Sequence, residues 1–334
     1  MSPRVGVCGL GLIGGSLLLG LRDAGLAVRG CDVWPDPRTW CEGHGVPADG
    51  SPEATARQVD VLVVCVPPHA TAAVVAAALA ASPDVVVLDA ASVKLPVVDE
   101  VARRAGPDAA RFLPGHPLAG AERGGHDAAD PGLLRGAPWA ICPPPVDGDR
   151  PLEPLVTVAP VLEALDARLL ACEADEHDDA LAASSHAPHL VAGASARIAA
   201  EPPAGGPLAT ALSGGALRDV TRVAGAPVGL WGEVLHANAV PTAEILDATA
   251  EHLRAAADAL RAGDRDRLHA LWNAGVAAQD AIQAARWQPL AWQPAELDAR
   301  WPALLDLGRA GVAVRWPRIV GDRLRVERTV PATR

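Results

Sequence analysis

The sequence predicts an α/β chain in two parts, a doubly wound parallel sheet followed by an all-helical region. Three observations predict it. Short apolar runs rich in Val alternate with Ala/Leu-rich helical stretches over about the first 170 residues, and strands apolar on both faces, separated by helices, belong to a parallel sheet covered on both sides. From Glu173 the strand pattern stops and Ala, Leu, Asp, His and Ser dominate. A glycine-rich turn, GLGLIG at 9–14, joins the first apolar run to the first helical pattern.

Taken in order, strands are expected at 4–10, 27–33, 60–67, 84–90, 111–115 and 138–142, with helices at 14–24, 69–81 and 95–105 between them. The loop PPPVDGDRP (143–151) leads into one more helix at 153–165 and one more strand at 167–171. Helices follow at 173–199, 207–224, 228–262 and 264–286, broken at EPPAGG (201–206) and Gly263, because Pro and Gly interrupt helical patterns. Near the C-terminus GVAVRWPRIVGDRLRVERTV (311–330) suits a hairpin turning near Gly321-Asp322. The expected division is 1–172 for the sheet domain, 173–288 for the helical domain and 289–334 for a C-terminal extension.

A chain of 334 residues is comfortable for two domains. Half of it is apolar, with nine Trp, one Phe and no Tyr, so Leu, Val and Ala must fill the core. The net charge of −11 argues against nucleic acid as a partner, since phosphate backbones call for a clustered basic face. Cys8, Cys31, Cys41, Cys65, Cys142 and Cys172 contain no Cys-x-x-Cys pair and read as free, mostly buried thiols in a reducing compartment. The N-terminal MSPRVGVCGLGLIGG passes straight into strand and turn chemistry, without the features of a signal peptide. No apolar run reaches the roughly 18 residues of a membrane helix. A cytoplasmic protein without membrane association is expected.

The turn at 9–14 is a G-x-G-x-x-G in the strand–turn–helix context that a dinucleotide site requires. Gly9 permits the tight turn, Gly11 the approach of a pyrophosphate and Gly14 the packing of helix on strand. The amides at the helix start then face anionic phosphates. Asp32 ends the second strand about 20 residues on, where a carboxylate accepts hydrogen bonds from ribose hydroxyls. No Arg follows Asp32 immediately, so NAD is expected over NADP. The cofactor set comprises Gly9, Leu10, Gly11, Leu12, Ile13, Gly14 and Asp32, the strand-end pair Val66 and Pro67, and Ser92.

The stretch DAASVKLP (89–96) contains Lys94, the only lysine in the chain. Dehydrogenases of the 6-phosphogluconate or 3-hydroxyisobutyrate type use a lysine of the second domain with an Asn four residues beyond. Lys94 lies in the first domain and no Asn follows it, which removes that class.

The segments GLGLIGGS (9–16), DAASVK (89–94), GHPLAGAE (115–122), SHAPH (185–189) and LRDVTRVA (217–224), followed by Trp231, resemble the prephenate/arogenate dehydrogenases in their order along the chain. The resemblance spans about residues 4 to 285. It implies NAD-dependent oxidative decarboxylation of a small anionic cyclohexadienyl substrate: prephenate to 4-hydroxyphenylpyruvate, or arogenate to tyrosine. It also implies a Rossmann-type first domain and a homodimer formed through the helical domain.

By the same resemblance His116 accepts the proton of the C4 hydroxyl, a task suited to a neutral imidazole. Ser92 hydrogen-bonds that histidine and helps set the nicotinamide ribose. Arg222 receives the ring carboxylate, for which an Arg fork is well shaped, and Asp219 orients it from one helical turn before. Ser185 and His189, at i and i+4, share a helix face toward the substrate. Glu122 lines the mouth, and Trp231 matches a position that can reach toward a neighbouring subunit. Lys94 either anchors its own motif or offsets substrate charge. No metal is expected: HAPH (186–189) lacks the H-E-x-x-H pattern and a third ligand. Two other readings stay open, a relative acting on 4-amino-4-deoxyprephenate and a dinucleotide-bound regulatory protein without turnover. The extension is too short for the regulatory domain of about 70 residues found after some relatives.

Overall fold

The computed structural model describes residues 2–121, 123–225, 228–287 and 290–331. It divides into two compact units, Met1–Asp178 with Trp292–Thr329, and Asp179–Ala291 with Val330–Arg334.

The first unit opens with β1 (Val5–Cys8), α1 (Leu12–Asp23), β2 (Val28–Cys31), α2 (Pro35–Gly43), β3 (Ala48–Asp49), α3 (Pro52–Ala56), β4 (Val61–Val64), α4 (Pro68–Ala81), β5 (Val86–Asp89), α5 (Leu95–Ala105) and β6 (Phe112–Leu113). These strands form one sheet in the order β3-β2-β1-β4-β5-β6, parallel at every pairing. The strands β1, β4 and β5 are buried along their whole length, which is why their sequences are continuous apolar runs rather than alternating ones. The strand order reverses between β1 and β4, and the carboxyl ends there are where open parallel sheets bind ligands. The two-residue β3 is too short to leave a sequence pattern.

The expected strand at 111–115 is in fact two. Pro114, which has no N–H to give a ladder, separates β6 from β7 (Gly115–Pro117). β7 belongs to a second sheet, with β8 (Pro138–Ile141) and, after α6 (Glu153–Ala164), β9 (Arg168–Ala171). His116 therefore does not end a strand of the parallel sheet. It sits in a short antiparallel strand opposite Ala140.

The C-terminal segment completes this second sheet. β10 (Leu290–Asp298), α14 (Trp301–Arg309), β11 (Val314–Val320) and β12 (Arg323–Pro331) give the order β10-β12-β11-β9-β8-β7. β11 and β12 pair antiparallel around Gly321 and Asp322, and Val314 pairs with Leu169 of β9. Trp301, Leu304, Leu305, Val314, Leu324 and Val326 join the same apolar core as Leu17, Leu18 and Trp139. The segment expected as an appendage is thus part of the first unit's core, because half its side chains are apolar and need a partner face.

The second unit is helical: α7 (Ala174–Leu181) enters it, followed by a π-helical turn at Ala182–His186, then α8 (Ala187–Ala200), α9 (Pro207–Ala211), α10 (Gly215–Thr221), α11 (Val228–Ala237), α12 (Ala239–Ala262) and α13 (Arg265–Trp287). The expected continuous helix 173–199 is interrupted by the π turn, directly before Pro188, whose missing N–H would otherwise break an α-helical ladder. Gly263 ends α12 with φ +65°, the left-handed stop that glycine favours. Among the described residues no helix is long and apolar enough to cross a membrane.

Candidate active site

The glycine loop has the shape its sequence demanded. Gly9 has φ +92°, and a Cβ there would stand 2.6 Å from the carbonyl oxygen of Cys65. A Cβ on Gly14 would collide with the carbonyl oxygen of Gly9, so helix α1 can start this close to β1 only with glycine. A Cβ on Gly11 would meet nothing within 4 Å. Gly11 is also the N-cap of α1, without a side-chain cap or an acidic residue in the first turn. An open approach to uncapped helix-start amides suits an anionic ligand.

Asp32 holds this loop. Its Oδ2 accepts from the Leu10 amide at 2.9 Å and its Oδ1 from the Trp34 amide at 2.9 Å. The Leu10 side chain is fully buried, so this member of the expected cofactor set serves the core and offers the site only backbone. Leu12 and Ile13 are half-buried at the helix start, as is Val66, while Pro67 is exposed. Sequence reading missed Arg38: α2 brings its Nη1 to the carbonyls of Asp32 (2.9 Å) and Val33 (3.0 Å). The signal was there, six residues past the acid on the next helix.

Lys94 is completely buried. Its Nζ donates to Asp89 Oδ2 at 2.5 Å and to the Gly115 carbonyl at 2.7 Å. Asp89 Oδ1 accepts from the Gly115 amide at 2.8 Å, and its Oδ2 also takes the Ala91 amide. The pair therefore ties the end of β5 in the first sheet to the start of β7 in the second, one residue before His116. Of the two roles expected for Lys94, only the anchor fits: an ammonium without exposure, already bound to two oxygens, is not presented to a substrate.

His116 is half-buried, and its Nδ1 lies 3.0 Å from Nε2 of His177. His177 Nδ1 is 2.7 Å from Asp178 Oδ1. Asp178 in turn accepts from the Lys94 amide (2.8 Å) and the Leu95 amide (2.9 Å), capping α5 from 83 residues away in sequence. Burial, and next the charge of Lys94, hold the His177 pKa below the usual histidine value against the opposing pull of Asp178. Neither His177 nor Asp178 was foreseen, although an adjacent His-Asp pair in the first turns of a helix was a legible signal. The Nδ1 of His116 thus meets His177, and Ser92 lies half-buried at the bend after β5.

In the second unit His189 and Trp231 stack, with ring centroids 3.6 Å apart at 26°. Trp231, which matches a position that can reach toward a neighbouring subunit, packs on His189 of its own chain. His189 Nδ1 donates to the Ser185 carbonyl at 2.8 Å, which fixes the relation of those two half-buried residues. The other histidine of HAPH, His186, is buried and takes its Nδ1 bond from Asn238 at 2.9 Å. The two histidines thus have separate hydrogen-bond partners, while both rings pack against Trp231. Arg222 opens a 3-10 turn just past α10 and is exposed. Asp219 is exposed too, and among the described residues the two do not pair; α10 ends at Thr221, and solvent removes most of the gain from such a contact. Glu122 lies outside the described residues.

Two family models match the chain: the nucleotide-binding domain of prephenate dehydrogenase over residues 20–171 and its dimerization domain over 173–274. The cyclohexadienyl dehydrogenase of Zymomonas mobilis is 29% identical over 272 residues, 79% of this chain and 91% of that protein. The crystal structure of Synechocystis arogenate dehydrogenase superposes with a TM-score of 0.71 at 26% identity, covering 84% of this chain and 99% of that one. The fold is shared as well with Aquifex aeolicus prephenate dehydrogenase crystallised with hydroxyphenyl propionate and NAD+, at a TM-score of 0.72 and 22% identity over 83% of this chain and 98% of that one. With the nucleotide-binding model over most of the two-sheet unit and the dimerization model over most of the helical one, the chain belongs to the prephenate dehydrogenase family.

Proposed function

We propose that the protein catalyses the NAD-dependent oxidative decarboxylation of prephenate or arogenate, with His116 as the proton acceptor. The observation that carries this reading is the position of His116, a half-buried imidazole on a strand pinned by a buried ion pair and held at Nδ1 by a second histidine. NAD would be held by the open helix start at Gly11 to Gly14 and by Asp32. When bound, it supplies the acceptor for the hydride leaving ring C4. Asp32 favours a ribose with free hydroxyls over a 2′-phosphate, and Arg38 directs Nη1 to backbone carbonyls.

The chain's own residues do the rest. His116 takes the proton of the C4 hydroxyl as the C4–H bond breaks. The ring carboxylate leaves as carbon dioxide, its bonding pair completes the aromatic ring as a phenolate, and the proton on His116 returns to that oxygen. Arg222 is assigned to that carboxylate on its chemistry, an exposed guanidinium suited to a bidentate anion. Ser185 and His189 are assigned to the polar side chain of the substrate, and Ser92 to the nicotinamide ribose. The helical unit is assigned the dimer contact. Its exposed Leu253, Leu260, Trp272 and Ile282 are each more than 60% accessible, an apolar surface that asks for a partner.

The test is NADH formation at 340 nm with prephenate, arogenate and 4-amino-4-deoxyprephenate offered separately. Turnover of one of the first two, abolished in His116→Ala with NAD binding intact, is expected. Turnover of the amino substrate alone would move the protein to the specialised relatives. Tight NAD binding without turnover of any would make it a binding protein.

A further inference from the structure

We propose that His177 and Asp178 are positioning residues that set the tautomer of His116, leaving Nε2 as the nitrogen that accepts the substrate proton. The proposal rests on the reading of His116 as proton acceptor and adds which atom acts and why.

The argument is a count of protons along one line of hydrogen bonds. Asp178 Oδ1 accepts the Lys94 amide and Oδ2 the Leu95 amide, so both oxygens of this carboxylate already act as acceptors. The short contact from His177 Nδ1 to Oδ1, 2.7 Å, therefore places a proton on His177 Nδ1. His177 is 2% exposed. Among the described residues four charged or titratable groups act on it: Asp178 beside it, Lys94 and Asp89 behind, and His116 in front. Burial foremost, helped by the Lys94 charge, lowers its pKa from the usual histidine value against the opposing bond to Asp178, which favours the neutral ring with a single proton. That proton is on Nδ1, so Nε2 carries a lone pair.

The contact of 3.0 Å between His177 Nε2 and His116 Nδ1 needs one proton between two nitrogens. His177 cannot supply it, so His116 Nδ1 must. A neutral His116 then carries no proton on Nε2. This is the less favoured tautomer of a free histidine side chain, which prefers its proton on Nε2, and the relay reverses that preference. Once Nε2 takes the substrate proton, the imidazolium keeps donating from Nδ1 to His177, and the bond becomes charge-assisted. The acceptor at His177 thus stabilises the protonated form of the base.

Both parts of the relay are held in place by structure already described. His177 and Asp178 lie on α7, Asp178 is locked to the start of α5, and Lys94, whose amide forms that lock, fixes the strand of His116 through Asp89 and Gly115. The construction resembles the orienting part of a catalytic triad, with a neutral imidazole where a triad has its carboxylate.

The test uses the full-length protein with His177→Leu and His177→Gln. Loss of the acceptor should lower kcat about 10- to 100-fold, within the contribution of a positioned general base, while KM changes less than about threefold. The acid limb of the kcat profile should move to lower pH, since the imidazolium loses its acceptor. His177→Gln, whose amide oxygen reaches the Nε2 position, should recover a substantial part of kcat; a merely structural role would not be rescued this way. A second readout needs no turnover. In protein labelled with 15N-histidine at pH 8, His116, assigned from the signal lost in His116→Gln, should carry its proton on Nδ1 in the parent and shift toward Nε2 in His177→Leu. A parent His116 protonated on Nε2, or a His177→Leu enzyme with unchanged kcat and acid limb, would overturn the proposal. A parent without turnover on any of the three substrates would instead strike the family reading, leaving the tautomer measurement to decide this one.

Discussion

Replacing Lys94 by Met should be among the most damaging single changes in the first unit, and its size follows from burial. Both side chains of the Lys94–Asp89 pair have 0% exposure and meet at 2.5 Å. Met keeps most of the volume but leaves Asp89 as an uncompensated charge in the core and the Gly115 carbonyl without its donor. Removing one partner of a buried pair costs about 3–5 kcal/mol. For a unit of this size each kcal/mol lowers Tm by about 2–4 °C, so a drop of roughly 6–20 °C is expected. Circular dichroism melts at pH 7.5 read it directly. Adding Asp89→Asn removes the stranded charge, so the double variant should be no more than about 1 kcal/mol worse than Lys94→Met alone, a large departure from additivity. A Lys94→Met protein melting within about 2 °C of the parent, or two substitutions whose effects simply add, would refute the claim that this pair anchors the two sheets.

Three further outcomes are expected. Asp32→Ala removes a charged acceptor worth about 1.5–3 kcal/mol and should weaken NAD about 10- to 150-fold; NADP, no longer facing an anion beside Arg38, should lose much less, as read by quenching of tryptophan fluorescence, and equal losses would count against Asp32 as the ribose contact. Trp301→Ala should cost about 3–5 kcal/mol, because Trp301 is 2% exposed and donates to the Pro151 carbonyl at 3.0 Å; an unchanged urea midpoint would mean that the C-terminal segment is an appendage after all. Stability should fall as the pH drops through and below the ordinary histidine value of 6.5, because unfolded His177 binds a proton there that the folded ring does not, and stability declines with falling pH wherever the unfolded state holds more protons. His177→Gln should remove that part of the decline, which paired urea titrations at pH 7.5 and 5.5 would measure.

What could be read in the sequence depended on how far apart the interacting residues lie. The glycine loop was legible because its constraint is local: Gly9 and Gly14 crowd each other within one turn, and spacing alone records that. The hairpin at Gly321 was legible for the same reason. Its pairing with β9 was not, since Val314 and Leu169 meet only through tertiary packing. The relay joins His116 to a residue 61 positions on and Lys94 to one 84 positions on, and no periodicity encodes such contacts. Lys94 illustrates both halves. Its oddity was visible at once in a chain where all other Lys/Arg positions are arginine, yet the reason for it required the fold. A compact ammonium fits between the Asp89 carboxylate and the Gly115 carbonyl, where the planar five-donor fork of arginine would bring more N–H groups into a sealed core than there are oxygens to receive them. The physical chemistry of the cavity therefore excludes arginine at this position, whatever drove the rest of the composition.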